Sequence, residues 1–166
     1  MFSQPLFSPS TYDWTDKRVA YDALVRDLSH LLGGERDLVA NASQAAALIW
    51  QALPDLNWAG FYFFDGTELV VGPFQGLPAC TRIALARGVC GAAASRREAI
   101  VVPDVHAFPG HIACDSRSRS ELVVPIVTAG ALRGVFDMDS PTPARFDDAD
   151  RDGVERLMAA FVAATV

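Results

Sequence analysis

The sequence predicts an α+β protein in which a central antiparallel sheet carries helices on one face. Two observations support this prediction. Apolar residues recur at helical spacing near both ends of the chain, and the segments between them alternate as short strands joined by tight turns. Helices that flank a run of hairpins, instead of alternating with strands, are typical of α+β architecture. We therefore expect helices on one face of the sheet and loops over the other.

Three stretches have the spacing of amphipathic helices. The first, "TDKRVAYDALVRDLSHLLGG", ends at Gly33 and Gly34, and the second, "ERDLVANASQAAALIWQALP", ends at Pro54. The last, "DADRDGVERLMAAFVAATV", begins beside Asp147 and Asp148, and either residue suits a helix N-cap. The side chains predicted to face the core are Tyr21, Leu24, Val25, Leu28, Leu31 and Leu32, then Leu38, Ala42, Ala45, Ile49 and Leu53, and finally Val154, Leu157, Met158 and Phe161.

The middle of the chain predicts two hairpins and two shorter strands. "NWAGFYFF" and "TELVVG" flank an Asp65-Gly66 turn, and "SELVVPIV" and "ALRGVFDMDS" flank the turn "TAG". "TRIAL" and "AIVV" are short strands around "GVCGAAASRR", which suits a short helix. The segment 103–120 is long, polar and rich in Asp, His and Gly, so we expect it to be a site loop or lid.

Composition limits the classes of function. With 166 residues, 51% of them apolar and a net charge of -6, the chain reads as a globular domain that binds neither nucleic acid nor membrane. We expect residues 1–14 to form an N-terminal extension and residues 15–166 to form one domain. The N-terminus has neither the basic region nor the long apolar stretch of a signal peptide, which predicts a cytoplasmic location.

Three cysteines, Cys80, Cys90 and Cys114, make an odd count in a chain of this size. In a reducing compartment this indicates thiols that are reactive, metal-binding or merely buried. Their spacing is not the short C-x-x-C clip of a structural zinc site, although His111 and Cys114 together offer two zinc ligands. The cysteines alone do not decide between these three interpretations.

Strand alternation puts Trp58, Gly60 and Tyr62 on one face, with the glycine between two aromatic rings. This arrangement predicts a slot with aromatic walls. The plain alternative is ordinary core packing, because an aromatic pair on a strand needs no ligand.

The same alternation puts Asp137 and Asp139 on one face near the end of an apolar strand, and Glu121 begins the partner strand. The three carboxylates therefore converge if they are not simply solvated. Such a cluster holds an ammonium group or a metal, or it raises the affinity of one member for a proton so that this member acts as an acid.

Cys114 lies inside the segment 103–120, close to Arg117, Arg119 and two histidines. Positive charge favours the thiolate, which makes Cys114 the candidate nucleophile. The two upstream cysteines then resolve the oxidised thiol. Together with the aromatic slot and the acids, this combination predicts redox chemistry on a small amino compound.

The motifs "DLNWAGFY", "GPFQG", "RGVCG", "DVHAFPGHIACDSRSRSELVVPI" and "GVFDMDS" resemble those of the free methionine-(R)-sulfoxide reductases, which are stand-alone GAF domains. The similarity runs from Asn57 to Ser140. The resemblance implies a GAF-like sheet with a loop-covered ligand pocket. It also implies that Cys114 is the catalytic cysteine, Cys80 the resolving one and Cys90 an additional thiol that joins the relay.

The same resemblance implies the rest of the chemistry. The family reduces free methionine-R-sulfoxide through a cysteine sulfenic acid and an intramolecular disulfide, with thioredoxin as reductant and without a metal or bound cofactor. Members often form homodimers. Leu77 departs from the family, which often has a basic residue there. The implied substrate-binding residues are Trp58 and Tyr62 around the substrate methyl group, and the acids Glu121, Asp137 and Asp139.

Two other functions compete with this one. A GAF module that senses a small ligand without chemistry needs an output domain and a linker, which we do not expect in this chain, and it does not need three thiols. A zinc-stapled interaction domain is the third reading.

Overall fold

One antiparallel sheet of six strands organises this computed structural model, which describes residues 11–112 and 114–165. Of the N-terminal extension predicted over residues 1–14, the first ten residues lie outside the described part. The α+β prediction is confirmed. The helices are α1 (Lys17–Leu32), α2 (Leu38–Ala52), α3 (Gly88–Arg96) and α4 (Asp148–Thr165). The strands are β1 (Trp58–Phe64), β2 (Glu68–Gly76), β3 (Arg82–Ala84), β4 (Ile100–Val102), β5 (Ser120–Thr128) and β6 (Ala131–Ser140).

The strand order is β3-β2-β1-β6-β5-β4, so the two predicted hairpins meet where β1 pairs with β6. This pairing fixes the register of the later site. Trp58 lies opposite Asp139, and Gly60 lies opposite Asp137. On the other side of β6, Glu121 also lies opposite Asp139. Residues from three neighbouring strands therefore project from one patch of the sheet.

Local chemistry explains both hairpin turns. Ala129 and Gly130 connect β5 to β6 with φ values of 49° and 77°, which is the left-handed backbone that a two-residue hairpin turn requires. In the first turn the Asp65 carboxylate accepts hydrogen bonds from the backbone N–H groups of Thr67 (2.9 Å) and Glu68 (3.0 Å). The short polar side chain thereby takes the place of missing backbone partners.

Helices α1, α2 and α4 cover one face of the sheet. Each begins at an aspartate whose side chain accepts a backbone N–H of the first turn: Asp16 from Val19, Asp37 from Ala40, and Asp147 from Asp150. These caps satisfy donors that a helix start leaves free. Of the two aspartates predicted as caps for α4, Asp147 is therefore the one used. None of the described helices combines the length and hydropathy that crossing a membrane requires.

The core under these helices is centred on three phenylalanines. The ring of Phe61 on β1 lies 4.8 Å from those of Phe136 on β6 and Phe161 on α4, measured between centroids. The predicted core position Leu38 is wrong, because this side chain is 42% exposed. Leu38 directly follows the N-cap, and the buried stripe of α2 starts one turn later, at Asn41 and Ala42.

The opposite face differs from the prediction that loops alone would close it. The short helix α3 packs there and buries Val89, Cys90 and Ala93 in a second apolar cluster. Close approach explains the small residues of α3, because a side chain on Gly91 would collide with the backbone of Ala84 and Ala86. Loop residues 77–81 and the described residues of the segment 103–120 complete this side.

Candidate active site

A pocket lies between the α3 face of the sheet and the loop that carries Cys114. Strand alternation brings the sequence-predicted side chains of β1, β5 and β6 to its floor, while α3 adds Cys90 from the opposite wall. Residues 77–79 and residues 111, 112, 114 and 115 form its rim. Seven of the eight residues predicted from the sequence line this pocket: Trp58, Tyr62, Cys90, Cys114, Glu121, Asp137 and Asp139. The eighth, Cys80, reaches it through a covalent bond.

That bond is a disulfide between Cys80 and Cys114, which lie 34 residues apart in sequence and 5.9 Å apart between Cα atoms. Cys114 is exposed and Cys80 is half-buried. The Tyr62 hydroxyl donates to the carbonyl oxygen of Cys80 at 3.0 Å, and this bond ties the Cys80 loop to the sheet. Cys90 remains a free, buried thiol.

The three carboxylates differ in exposure. Glu121 and Asp137 are each 6% exposed, whereas Asp139 is half-buried. Burial raises the pKa of all three, and the charge of Asp137 adds to the effect on Glu121 and Asp139. The pKa of Asp137 rises only to about 7, because hydrogen bonds from Cys90 and Glu121 favour its ionised form. These hydrogen bonds favour the charged form of Asp137, whereas burial and the charge of Asp137 favour the protonated forms of Glu121 and Asp139.

The Oδ1 atom of Asp137 is buried and has no hydrogen-bond partner among the described residues. A buried carboxylate oxygen in this state is suited to a cationic donor such as an ammonium group. The Cys90 sulfur and oxygens of Glu121 and Asp137 also lie within 4.8 Å of one another, a spacing at which a metal ion can be held. The alternative zinc pair, His111 and Cys114, loses its sulfur ligand to the disulfide in this form.

The aromatic wall differs from the predicted slot. The rings of Trp58 and Tyr62 stack with 5.7 Å between centroids, so they contact each other and leave no slot between them. Gly60 explains this, because its missing side chain gives space to the edge of the Trp58 indole. Phe74 stacks on Trp58 at 5.2 Å, and the indole N–H donates to the Leu77 carbonyl oxygen at 3.1 Å. The rings therefore form one rigid wall beside the acids.

Arg117 was predicted to favour the Cys114 thiolate, but its ion-pair partner is Asp115. It binds the carboxylate of Asp115 through Nη2 at 2.7 Å, and this contact holds the pKa of Asp115 well below its usual range. Burial lowers the pKa of His111, whose Nε2 lies 3.8 Å from a Glu121 oxygen. The charges near Cys114 are thus arranged differently from the sequence-based expectation.

Sequence reasoning did not single out a polar group beside the pocket that is linked by hydrogen bonds, formed by Asn57, Asp115 and Ser118. The Asn57 amide donates to both of the others. The available signal was a polar residue placed immediately before the buried strand of "NWAGFY".

Comparison with known proteins places this geometry in a family. The GAF domain model matches residues 16–166. A free methionine-R-sulfoxide reductase from Escherichia coli is 45% identical over 144 residues, which are 87% of this chain and 87% of that protein. The chain belongs to the free methionine-R-sulfoxide reductase family of GAF domains. The resemblance noted in the motifs is thereby confirmed.

Other members of the free methionine-R-sulfoxide reductase family agree. The Saccharomyces cerevisiae protein of that name is 43% identical over 150 residues, covering 86% of this chain and 83% of that one. The structure of free methionine-R-sulfoxide reductase from Neisseria meningitidis in complex with its substrate matches with a TM-score of 0.89 and 39% identity, over 95% of both chains.

Proposed function

We propose that this chain reduces free L-methionine-R-sulfoxide to L-methionine, with Cys114 as nucleophile and Cys80 as resolving thiol. The observation that carries the proposal is the disulfide between these two residues at the rim of a pocket lined by aromatic rings and buried acids. Membership of an oxidoreductase family supports the same chemistry.

In the first step the Cys114 thiolate attacks the sulfoxide sulfur. A protonated carboxyl group of the pocket donates a proton to the sulfoxide oxygen, and this oxygen then passes to the Cys114 sulfur. The substrate sulfur–oxygen bond and the transient bond between the two sulfurs break, methionine leaves, and Cys114 is left as a sulfenic acid. The sulfoxide is reduced by two electrons and the thiolate is oxidised by two. Glu121 and Asp139 are the candidate acids, because burial and neighbouring charge raise the pKa of each.

In the second step the Cys80 thiol attacks the sulfenic sulfur, water leaves, and the Cys80–Cys114 disulfide forms. An external dithiol then reduces this disulfide and is itself oxidised to a disulfide. Thioredoxin is the donor we propose, because its reduction potential suits the task. A reducing compartment such as the cytoplasm supplies this donor. The family resemblance also supports a homodimer, and light scattering would measure the oligomeric state.

The substrate is positioned by the two walls of the pocket. Asp137 offers an unpaired buried oxygen to the α-ammonium group of free methionine sulfoxide. Polarisation of the sulfoxide leaves positive character on the sulfur and methyl group, which the Trp58 face attracts. These two contacts orient the sulfur between the acids and Cys114.

The cavity that remains in the disulfide form measures about 40 Å³. Such a space holds a water molecule or two. It is too small for methionine sulfoxide, so we assign the bridged form to the stage between methionine release and reduction by the external dithiol. Reduction must free the Cys114 loop before the next substrate enters.

Cys90 is a free, buried thiol on α3, and we propose that it orients Asp137. Its thiol lies within 4.8 Å of an Asp137 oxygen, and burial raises the pKa of the thiol, which favours an orienting role over attack. Mass spectrometry of protein oxidised by substrate tests this assignment. A Cys80–Cys114 peptide is expected, and a dominant Cys90–Cys114 peptide would transfer the resolving role to Cys90.

The decisive experiment is to incubate the pure protein with L-methionine-R-sulfoxide and dithiothreitol and to measure methionine by chromatography. Cys80→Ser is the matched variant. It should release one methionine per chain and then stall with thioredoxin. No methionine from the unmodified protein would contradict the proposed activity, and full thioredoxin-driven turnover by Cys80→Ser would contradict the resolving role.

A second experiment tests whether the protein selects the free amino acid over a blocked, peptide-like form. N-acetyl-methionine-R-sulfoxide amide lacks the α-ammonium and should lose about ten- to hundredfold in kcat/KM, the size of one charge-assisted contact. The S epimer exchanges the oxygen and methyl positions and should react poorly for a different reason. Equal rates for the free and blocked R compounds would show that the carboxylates do not read the ammonium.

A further inference from the structure

The side chain of Asn57 ties the loop that carries Cys114 to the start of β1. Asn57 immediately precedes β1 and is 6% exposed. Its Nδ2 donates to Asp115 Oδ2 and to Ser118 Oγ, both at 3.0 Å. A single buried amide thus holds both ends of the turn that follows Cys114.

The two anchored residues are themselves held in place. Arg117 donates to both carboxylate oxygens of Asp115, and the Ser118 backbone N–H donates to the Asp115 carbonyl oxygen at 3.2 Å. The Asp115 carboxylate also decides the orientation of the amide. It only accepts hydrogen bonds, so the –NH₂ group of Asn57 must face it.

The other end of the tie lies at the pocket. The Asn57 backbone N–H donates to the Asp139 carbonyl oxygen at 3.0 Å, and the Ser118 side chain partly offsets the rise in the pKa of the Asp139 carboxyl group. The residue after Asn57 is Trp58, whose indole forms the aromatic wall. Asn57 therefore connects the loop that carries Cys114 with Asp139 and with the aromatic wall.

We infer that Asn57 is a positioning residue, which sets the placement of Cys114 relative to Cys80 and to the pocket. It touches none of the reacting atoms and acts through Asp115 and Ser118. Misplacement of a reacting group by about 1 Å can cost on the order of 10²-fold in rate, so a tie at the residue next to the nucleophile has a large effect. The expected effect of Asn57 on turnover rests on the proposed function, whereas its effect on the placement of Cys114 relative to Cys80 does not.

The chain offers a matched control in Asn41, its other asparagine. Asn41 is 1% exposed, and its Nδ2 also donates to two acceptors, the Glu35 carbonyl oxygen and Thr165 Oγ1, both at 3.1 Å. It lies on α2, in the helical layer on the far side of the sheet. Asn57→Ala and Asn41→Ala therefore remove the same chemistry from two places, of which only the first is close to Cys114.

The test equilibrates each folded variant with mixtures of reduced and oxidised glutathione. The Cys80 and Cys114 thiols are oxidised to the disulfide while glutathione disulfide is reduced to two thiols, and alkylation with mass spectrometry gives the fraction bridged. The equilibrium constant should fall about tenfold or more in Asn57→Ala and less than threefold in Asn41→Ala. The kcat with dithiothreitol should fall by a similar factor in Asn57→Ala only.

The outcomes separate this inference from the proposed activity. A fall of less than threefold in the equilibrium constant of Asn57→Ala, or an equal fall in Asn41→Ala, overturns the positioning role. A specific fall in a protein that does not reduce methionine sulfoxide leaves the positioning role standing and removes the proposed activity. If Asn57→Ala does not fold, Asn57→Asp keeps the shape without the donors. Failure of both to fold, with Asn41→Ala folded, would make Asn57 a folding residue and overturn the inference.

Discussion

The two faces of the sheet are built from alternate residues of the same strands, yet they bury different chemistry. Under the three long helices the buried side chains are almost all apolar, with Phe61, Phe136 and Met138 fully buried. Under α3 and the loops, the same strands contribute Tyr62, Asp137 and half-buried Asp139. One face therefore carries most of the hydrophobic stabilisation, and the other accepts an energetic cost.

Buried carboxylates show this difference most directly. On the helical side, Asp150 is fully buried and contacts Lys17 at 2.5 Å, Tyr21 at 2.9 Å and Arg145 at 3.3 Å. On the pocket side, among the described residues no lysine or arginine pairs with Asp137. The charge of Asp150 is neutralised by cations of the protein itself, whereas the charge of Asp137 can be neutralised by a cationic ligand.

The largest expected effect separates the faces by activity. Cys114→Ser should lower turnover on the order of 10³-fold or more, because a serine hydroxyl does not ionise near neutral pH and forms no disulfide. The melting temperature should stay within a few degrees of the reduced wild type, since Cys114 is exposed. Measured methionine release with dithiothreitol above a few per cent of wild type would place the nucleophile elsewhere.

The sequence predicted the helical face of the sheet more completely than the pocket face. The helical face followed from periodicity, because burial there depends on apolar spacing, and Leu38 was wrong only because periodicity does not locate the first helical turn against the sheet. The convergence of Glu121 with Asp137 required strand pairing, which the hairpin turn "TAG" made predictable. What alternation could not predict was the contact between Trp58 and Tyr62, since ring stacking depends on the space over Gly60.

The sequence did not predict the hydrogen bonds of Asn57 to Asp115 and Ser118, or the ion pair between Arg117 and Asp115. The Asn57 bonds depend on how an irregular loop folds back onto the start of a strand about 60 positions away in sequence, which no local pattern encodes. Arg117 pairs with Asp115 only two positions away, and this contact depends on the turn that the loop adopts. Cys90 illustrates a third case. The helix that contains it was predicted, but its packing on the pocket face came from the structure.

The second expected effect concerns the helical face. Phe61→Ala should lower the free energy of unfolding by about 3–5 kcal/mol, because it empties the centre of a packed aromatic cluster. Turnover per folded chain should change little, since this side chain points away from the pocket. Urea denaturation measures the first quantity. Phe64→Ala, at the half-buried end of the same strand, is the control and should cost clearly less.

The third effect has opposite signs for activity and stability. Asp137→Asn should lower kcat/KM about ten- to hundredfold, the value of a charge-assisted contact with the substrate ammonium. The same variant should be more stable than wild type at pH 8, because an amide avoids the cost of a buried charge. A loss of stability at pH 8 would show that the pocket already provides this carboxylate with adequate partners.

The pH dependence of stability follows from the raised pKa of Asp137. The folded value of about 7 exceeds the ordinary value of 3.8, so the folded protein binds more protons between these limits, and the free energy of unfolding falls as pH rises through them. At about 1.4 kcal/mol per pKa unit, the fall from pH 4 to pH 8 is on the order of a few kcal/mol. Urea denaturation across this range should show a smaller slope for Asp137→Asn, and an unchanged slope would assign the fall to Glu121 and Asp139.

The smallest effect belongs to the well-paired carboxylate. Tyr21→Phe removes one hydrogen bond to Asp150, from a fully buried hydroxyl, and leaves Lys17 and Arg145 in place. Because the remaining partners still satisfy the charge, the free energy of unfolding should fall by only about 1.5–3 kcal/mol, and methionine release should not change. The comparison with Asp137→Asn is then direct: loss of a partner on the helical side costs stability without activity, and loss of a charge on the pocket side costs activity without stability. If Tyr21→Phe lowered turnover per folded chain, the two faces would be coupled through the sheet, and the division between them would fail.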